Sequence, residues 1–251
     1  MEIFQIFEGL IKEEERNKQA EYCIKMFGYE LFGDQLGGKE PNTNYESDVL
    51  QNIFNFTLIS YGKTITQEFI KAVKNLKLCM SSYPEILYPQ GIVYRGTKIS
   101  LKNLLRIKYK PNTWNKIEYR ANTPIQSWSE NEEVAEEFAA SQIDRYTYDM
   151  INLINKANDK DIKSILEKHP DLFDKFKVGI IIKHEATPDQ FLFKGKYFNA
   201  LSQAGVNVDD SEDEVLRVDN RPMVVDFKIP DEYETSIMLV IKKIKKYNES
   251  I

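Results

Sequence analysis

The chain has 251 residues, of which 42% are hydrophobic and 12% aromatic, enough to bury a substantial core in one large domain or one domain with a helical annex. Charged residues make up 29% with a net charge of -5, which excludes a global basic field for nucleic acid or an anionic membrane. No apolar run approaches membrane-spanning length, and Met1–Gln5 lack a basic n-region and a long apolar core, so neither a membrane span nor a secretory leader is expected. The two cysteines, Cys23 and Cys79, sit in helix-like stretches without ligand spacing, so neither a disulfide framework nor a zinc site is expected. A reducing, cytoplasmic compartment fits that usage.

Residues 1–85 read as a helical region packed on the rest. Ile3, Phe7, Leu10 and Ile11 repeat at helical spacing, and Tyr22, Cys23, Met26 and Phe27 resume it. A second helix is expected over 45–60, with Val49, Leu50, Ile53 and Phe54 inward. Thr64–Gln67 forms a capping box for a third, striped by Phe69, Ile70, Val73 and Leu76. This region suggests scaffold and no chemistry.

Residues 86–251 read as an α+β core. Ile92–Thr97 has the pattern of a buried strand running into a glycine turn. Arg95 follows that apolar run, where a solvated arginine is unusual. Its guanidinium suits a phosphate or carboxylate, or an internal ion pair to Glu118. Ser127-Trp128-Ser129 comes next. Ser129 with Glu132 reads as a capping box for the helix behind it, which leaves Ser127 as the better functional candidate. Glu130, Glu132 and Glu133 crowd that helix start, and their charge argues against a phosphate there. Residues 141–177 look like a helical insertion. Strands are then expected at Val178–Ile182, Asp189–Phe193, Val215–Val218, Met223–Phe227 and Ser236–Ile241, with the polar 194–213 as a loop beside a site. The basic Lys242–Lys246 reads as a solvated strand end or tail.

Within that loop, Ser211-Glu212-Asp213-Glu214 precedes the apolar Val215-Leu216. On extended backbone, i and i+2 share a face, so Glu212 and Glu214 can look into one cleft. Other Glu-x-Glu pairs at Glu13/Glu15, Glu130/Glu132 and Glu232/Glu234 read as solvated charge. What distinguishes Glu212/Glu214 is its order after Arg95 and Ser-x-Ser. His169 and His184, the only histidines, lack ligand spacing, so no metal is expected. There is no Gly-x-Ser-x-Gly elbow, no Gly-x-Gly-x-x-Gly and no Walker A loop.

An arginine on a first core strand, then Ser-x-Ser, then Glu-x-Glu leading a late strand resembles the mono-ADP-ribosyltransferases of the Arg-Ser-Glu class. That class includes bacterial toxins, eukaryotic ectoenzymes and phage enzymes acting on host proteins. The resemblance covers roughly residues 45–245 and implies two small β-sheets packed face to face with flanking helices. It implies NAD as a substrate, no metal, and a target protein modified on arginine. Arg95 matches the family arginine that contacts NAD, with Gly96 and Thr97 beside it. Ser127 and Ser129 match the outer residues of the Ser-Thr-Ser motif, and Trp128 replaces the middle threonine. Glu214 matches the catalytic glutamate and Glu212 the glutamate usual in arginine-modifying members. The loop Ser202–Asp210 lacks the aromatic residue that some members use to recognise a target.

The chemistry wants these groups. Cleavage of the nicotinamide–ribose bond passes through an oxocarbenium-like transition state, which a carboxylate such as Glu214 stabilises. An arginine is a poor nucleophile, its pKa lying above about 12, so a second carboxylate, Glu212, has a reason to be there. Other acceptors, a nucleic acid end among them, or plain NAD hydrolysis stand as alternatives within enzymes. The net acidity disfavours a large nucleic-acid footprint and leaves room for a small one. A catalytically silent NAD-binding module and an unrelated α+β scaffold are the alternatives outside them.

Overall fold

The computed structural model describes residues 18, 74, 77–79, 81–82, 87–88, 90–121, 126–187, 190, 192–194, 214–217 and 221–248. Most of the helical expectations for 1–85, and Glu212 with the loop around it, lie outside the described residues. Helix and strand are mixed, as an α+β reading requires. The chain forms two compact units, one of residues 1–93, 120–130 and 185–223, the other of 94–119, 131–184 and 224–251.

In the first unit, β3 (Gln126–Ser129), β6 (Glu214–Arg217) and β5 (Leu192–Lys194) form an antiparallel ladder with β6 in the middle. Trp128 lies opposite Val215 in the register, and both are almost fully buried, at 2% and 0% exposed. Gln126 and Arg217, also opposite each other, share that face and that burial. Cys79 is disulfide-bonded, which corrects the expectation that the cysteines form no disulfide.

The second unit has a four-stranded order, β2 (Asn115–Tyr119), β7 (Met223–Lys228), β4 (Lys177–Ala186) and β1 (Gly91–Ser100), of which β1 enters it at Tyr94. β4 and β7 run antiparallel with Ile182 opposite Phe227 and Lys183 opposite Asp226. The alternation puts Ile182 and Phe227 on one face, and Ile181, Lys183, Asp226 and Lys228 on the other. Helix α2 (Glu132–Ser141) lies against the second of these faces at very close range. A Cβ on Gly96 would collide with Ala135 O and Ala139 N, and one on Gly179 with Ala139 O, so only glycine admits the helix there.

The remaining helices are α1 (Leu101–Arg106), α3 (Arg145–Lys156), α4 (Asp159–Lys168), α5 (Leu172–Lys175) and α6 (Asp231–Asn248). Residues 141–177 are helical as expected, and they contribute to the core of this unit. Thr147, Met150, Ile151 and Ile154 on α3, Ile162 and Ile165 on α4, and Leu172 on α5 are all buried. α3 and α4 each have a side-chain cap: Asp144 accepts from Thr147 N at 2.7 Å, and Asn158 from Asp161 N at 3.3 Å.

Ser236–Ile241 is not a strand. It lies within α6, where Ile237, Val240, Ile241 and Ile244 are buried at the i, i+3, i+4, i+7 spacing of a helix. The β-branched run disguised a helical period that the lysines after it continue. Nor is Lys242–Lys246 a tail. Lys243 Nζ donates to Ile154 O, Asn155 O and Ala157 O at 3.0, 2.9 and 2.6 Å, which satisfies the carbonyl end of α3. Lys246 pairs with Asp159 at the start of α4. Among the described residues, no helix is long and apolar enough to cross a membrane.

Candidate functional site

Glu214 is the first residue of β6, and its Cα stands opposite that of Ser129. Directly opposed residues of an antiparallel pair share a face, and so do i and i+2 along a strand. Positions 127, 129 and 214 therefore lie on one face of the ladder, away from the face that buries Trp128 and Val215. The Ser-x-Ser stretch and the glutamate that ends Glu-x-Glu are thus cross-strand neighbours, although 85 residues separate Ser129 from Glu214 in the sequence. Ser127 is half-buried and Ser129 is 5% exposed.

Ser129 is not the cap of the helix behind it. That cap is Asn131, whose Oδ1 accepts from Glu133 N at 2.9 Å, while Ser129 closes β3. The capping box in the sequence was two residues out of register with the helix that formed. Ser129 consequently joins Ser127 among the candidate residues. Trp128 is a core side chain by its burial and anchors the strand that presents the two serines.

Nor are Glu130 and Glu132 solvated charge. In the first unit, Tyr88 Oη donates to Glu130 Oε1 at 2.6 Å, a bond between residues 42 apart that no local pattern announced. Tyr88 is 4% exposed. Burial, reinforced by the hydrogen bond and charge of Glu130, pushes its phenol well above the ordinary range, so the phenol stays protonated and donating. In the second unit, Glu132 Oε1 lies 2.8 Å from Lys228 Nζ, and burial together with Glu132 raises the Tyr94 phenol.

Arg95, Gly96 and Thr97 are on β1 in the second unit. Tyr94 and Gly96 both lie on the side of α2, Tyr94 packing against Ala135, Ala139 and Ile181. Arg95 and Thr97 alternate with them and so lie on the opposite face. Arg95 is half-buried, and its Nε is shielded from solvent. The space above Gly96 is filled by α2, which gives this glycine a packing role.

The same unit holds a second aromatic and basic cluster. Lys183 Nζ sits 4.0 Å from the centroid of the Trp114 ring and Lys228 Nζ 5.4 Å from it, with the Tyr94 ring 6.4 Å away. Lys228 is tied to Glu132 and Lys116 to Asp226 at 3.4 Å, so much of this charge is balanced locally. Among the described residues, no group of three or more His, Cys, Asp or Glu is placed to hold a metal ion.

Comparison with protein-family models, curated proteins and solved structures finds no match to this chain.

Proposed function

We propose that the protein is an NAD-dependent mono-ADP-ribosyltransferase that modifies arginine on a target protein. The observation that supports this reading best is the β3–β6 register, with Ser129 opposite Glu214 and Ser127 two residues along on the same face. The three motifs that carry the resemblance lie far apart in the sequence, and this register makes two of them cross-strand neighbours. The two packed sheets of the family belong to the proposal as well.

In this reading Ser127 and Ser129 help to seat the nicotinamide riboside end of NAD and to hold Glu214 in place. Glu214 accepts a hydrogen bond from the ribose 2′-hydroxyl and stabilises positive charge as the C1′–N bond to nicotinamide breaks. Nicotinamide leaves with the bonding pair and neutralises its own charge, so no acid is needed. Arg95, with Thr97 on the same face of β1, is the residue the resemblance assigns to NAD, and it would turn a diffuse encounter into an oriented one. Glu212 orients the guanidinium of the target and accepts its proton as the new N–C1′ bond forms. The products are ADP-ribosylarginine, nicotinamide and that proton.

The experiment follows nicotinamide release from NAD and transfer of labelled ADP-ribose to proteins of a bacterial lysate. Wild type is compared with Glu214→Gln and Glu212→Gln. Removing one preorganised electrostatic group commonly costs a factor of about a hundred to a thousand. Glu214→Gln is therefore expected to lose release and transfer together, whereas Glu212→Gln keeps release and loses transfer. A wild-type protein that neither binds nor consumes NAD removes the proposal. Release without any labelled protein leaves a glycohydrolase.

A further inference from the structure

We propose that Tyr88 is a positioning residue: its hydrogen bond to Glu130 fixes the end of β3 and thereby the register that sets Ser129 opposite Glu214. For its catalytic consequence this inference rests on the NAD reading above; for its structural consequence it rests on the ladder alone.

β3 is flanked by β1 as well as β6, and the bond to Glu130 adds a tie at the strand end that carries Ser129. β3 and β6 are joined by four residue pairs, Gln126 with Arg217 through Ser129 with Glu214. The pair that matters is the terminal one, and strand ends open locally at low cost. A slip of one residue would set Ser129 against Val215 and exchange the two faces of β6. The buried pairs Trp128–Val215 and Gln126–Arg217 resist that slip from within the ladder. Beyond Ser129 the chain bends at Glu130 and leaves the strand. Glu130 is therefore the first residue at which the end of β3 can be tied, and Tyr88 ties it.

Three features make that tie strong. The phenol donates to a carboxylate at 2.6 Å, a charge-assisted bond. Tyr88 is buried, so water competes poorly for its hydroxyl. Gly91, at the start of β1, leaves the room that the phenol occupies, since a Cβ there would lie 2.6 Å from Tyr88 Oη. Three positions in the same unit, 88, 91 and 130, thus converge on one bond. Tyr88 acts through Glu130 and Ser129.

The full chain is tested as wild type, Tyr88→Phe, Gly91→Ala and Glu130→Gln. Amide hydrogen exchange is read at Ser127–Ser129 and Val215–Arg217, with Val178–Ile182 of β4 as the reference, and steady-state nicotinamide release gives kcat and KM. Tyr88→Phe keeps the ring and loses the donor. Gly91→Ala keeps the donor and displaces it. Both are expected to speed exchange at the β3 and β6 amides by about tenfold, the scale of one charge-assisted hydrogen bond, with the β4 amides unchanged. Both should also lower kcat by about tenfold and move KM less than about twofold. Glu130→Gln keeps an acceptor for the phenol but loses the charge, and should show a smaller effect than Tyr88→Phe on both exchange and kcat.

Exchange at β3 and β6 that matches wild type in Tyr88→Phe overturns the inference, and so does a rise spread equally over β4. If wild type releases no nicotinamide while the β3 and β6 amides still open in both variants, the NAD reading falls and the positioning role stands. If wild type turns over NAD and Tyr88→Phe leaves exchange and kcat unaltered, the positioning role falls and the NAD reading stands.

Discussion

Two phenol–glutamate pairs, one in each unit, use the same chemistry in different settings. Tyr109 Oη donates to Glu234 Oε1 at 2.5 Å in the second unit, and Tyr88 Oη to Glu130 Oε1 at 2.6 Å in the first. Glu234 is 6% exposed, and Asn112 N lies 3.1 Å from both of its oxygens. Tyr109 Oη in turn accepts from Ile229 N at 3.1 Å, and the Tyr109 ring packs 5.5 Å from that of Phe227. The segment before β2 is thereby closed onto the first turn of α6. Glu130 is half-buried and directly follows Ser129, at the end of the strand that carries the candidate serines. The first carboxylate is enclosed and serves the fold; the second stands beside the candidate site and serves its register. Both come from Glu-x-Glu pairs, so what separates them is their surroundings and not their pattern.

That contrast is sharpest in stability. Removing one partner from a buried, charge-assisted network leaves the others desolvated, which costs several kcal/mol where the burial is deep. Glu234→Ala is expected to lower the unfolding free energy by about 2–4 kcal/mol, and Glu234→Gln, which keeps an acceptor, by about 1–2 kcal/mol. Tyr88→Phe should cost about 1.5 kcal/mol, with its effect falling chiefly on exchange and turnover. Urea unfolding of the three variants reads this directly. Equal losses for Glu234→Ala and Tyr88→Phe would erase the distinction between a fold-closing pair and a register-holding one.

The same contrast marks how far the sequence could be read. Strong period-two or continuous apolar runs gave β1, β4 and β7 in place, because burial on a sheet needs no distant information. The pairing of β3 with β6 was not legible in the sequence, because no local pattern contains it. Where two signals competed, the stronger local one misled. Ser129 and Glu132 form a good capping box, yet Asn131 captured the helix start. Ser236–Ile241 is rich in β-branched residues, yet the buried stripe from Ile237 to Ile244 follows the helical period. The short β2 and α1 lacked a pattern long enough to announce them. Tyr88–Glu130 and Tyr109–Glu234 span 42 and 125 residues, and such pairs are visible only once the chain has folded.

Both pairs predict an alkaline limit to stability. Burial, then the hydrogen bond to the neighbouring glutamate, raises the phenols of Tyr88 and Tyr109 above their ordinary values. The folded state therefore keeps protons that the unfolded state loses near the ordinary phenol value of about 10. Because the native state binds more protons in that window, the unfolding free energy falls as pH rises through it. The contribution is complete below about pH 10 and is lost above it. Melting temperatures are expected to hold level up to about pH 9 and then to fall. Tyr109→Phe and Tyr88→Phe should each flatten the fall. A slope untouched by either variant would assign the alkaline loss to other groups.

The smallest effect concerns the backbone that brings Asn112 to Glu234. Asn112 has φ of 56°, the left-handed region, which puts its N–H within reach of both carboxylate oxygens. Asparagine tolerates that region better than most residues, and glycine better still. Asn112→Gly is expected to change stability by less than about 0.5 kcal/mol, because the donor is a backbone group that glycine retains. Asn112→Ala also retains the donor and should cost about 1 kcal/mol through strain alone. Combining each with Glu234→Gln in a double-mutant cycle separates strain from the hydrogen bond. If the Asn112→Ala penalty is strain, it adds to that of Glu234→Gln unchanged. A penalty that shrinks in the Glu234→Gln background would mean that alanine has drawn the amide away from the carboxylate, and that the turn, no less than the phenol, sets how firmly this pair closes the fold.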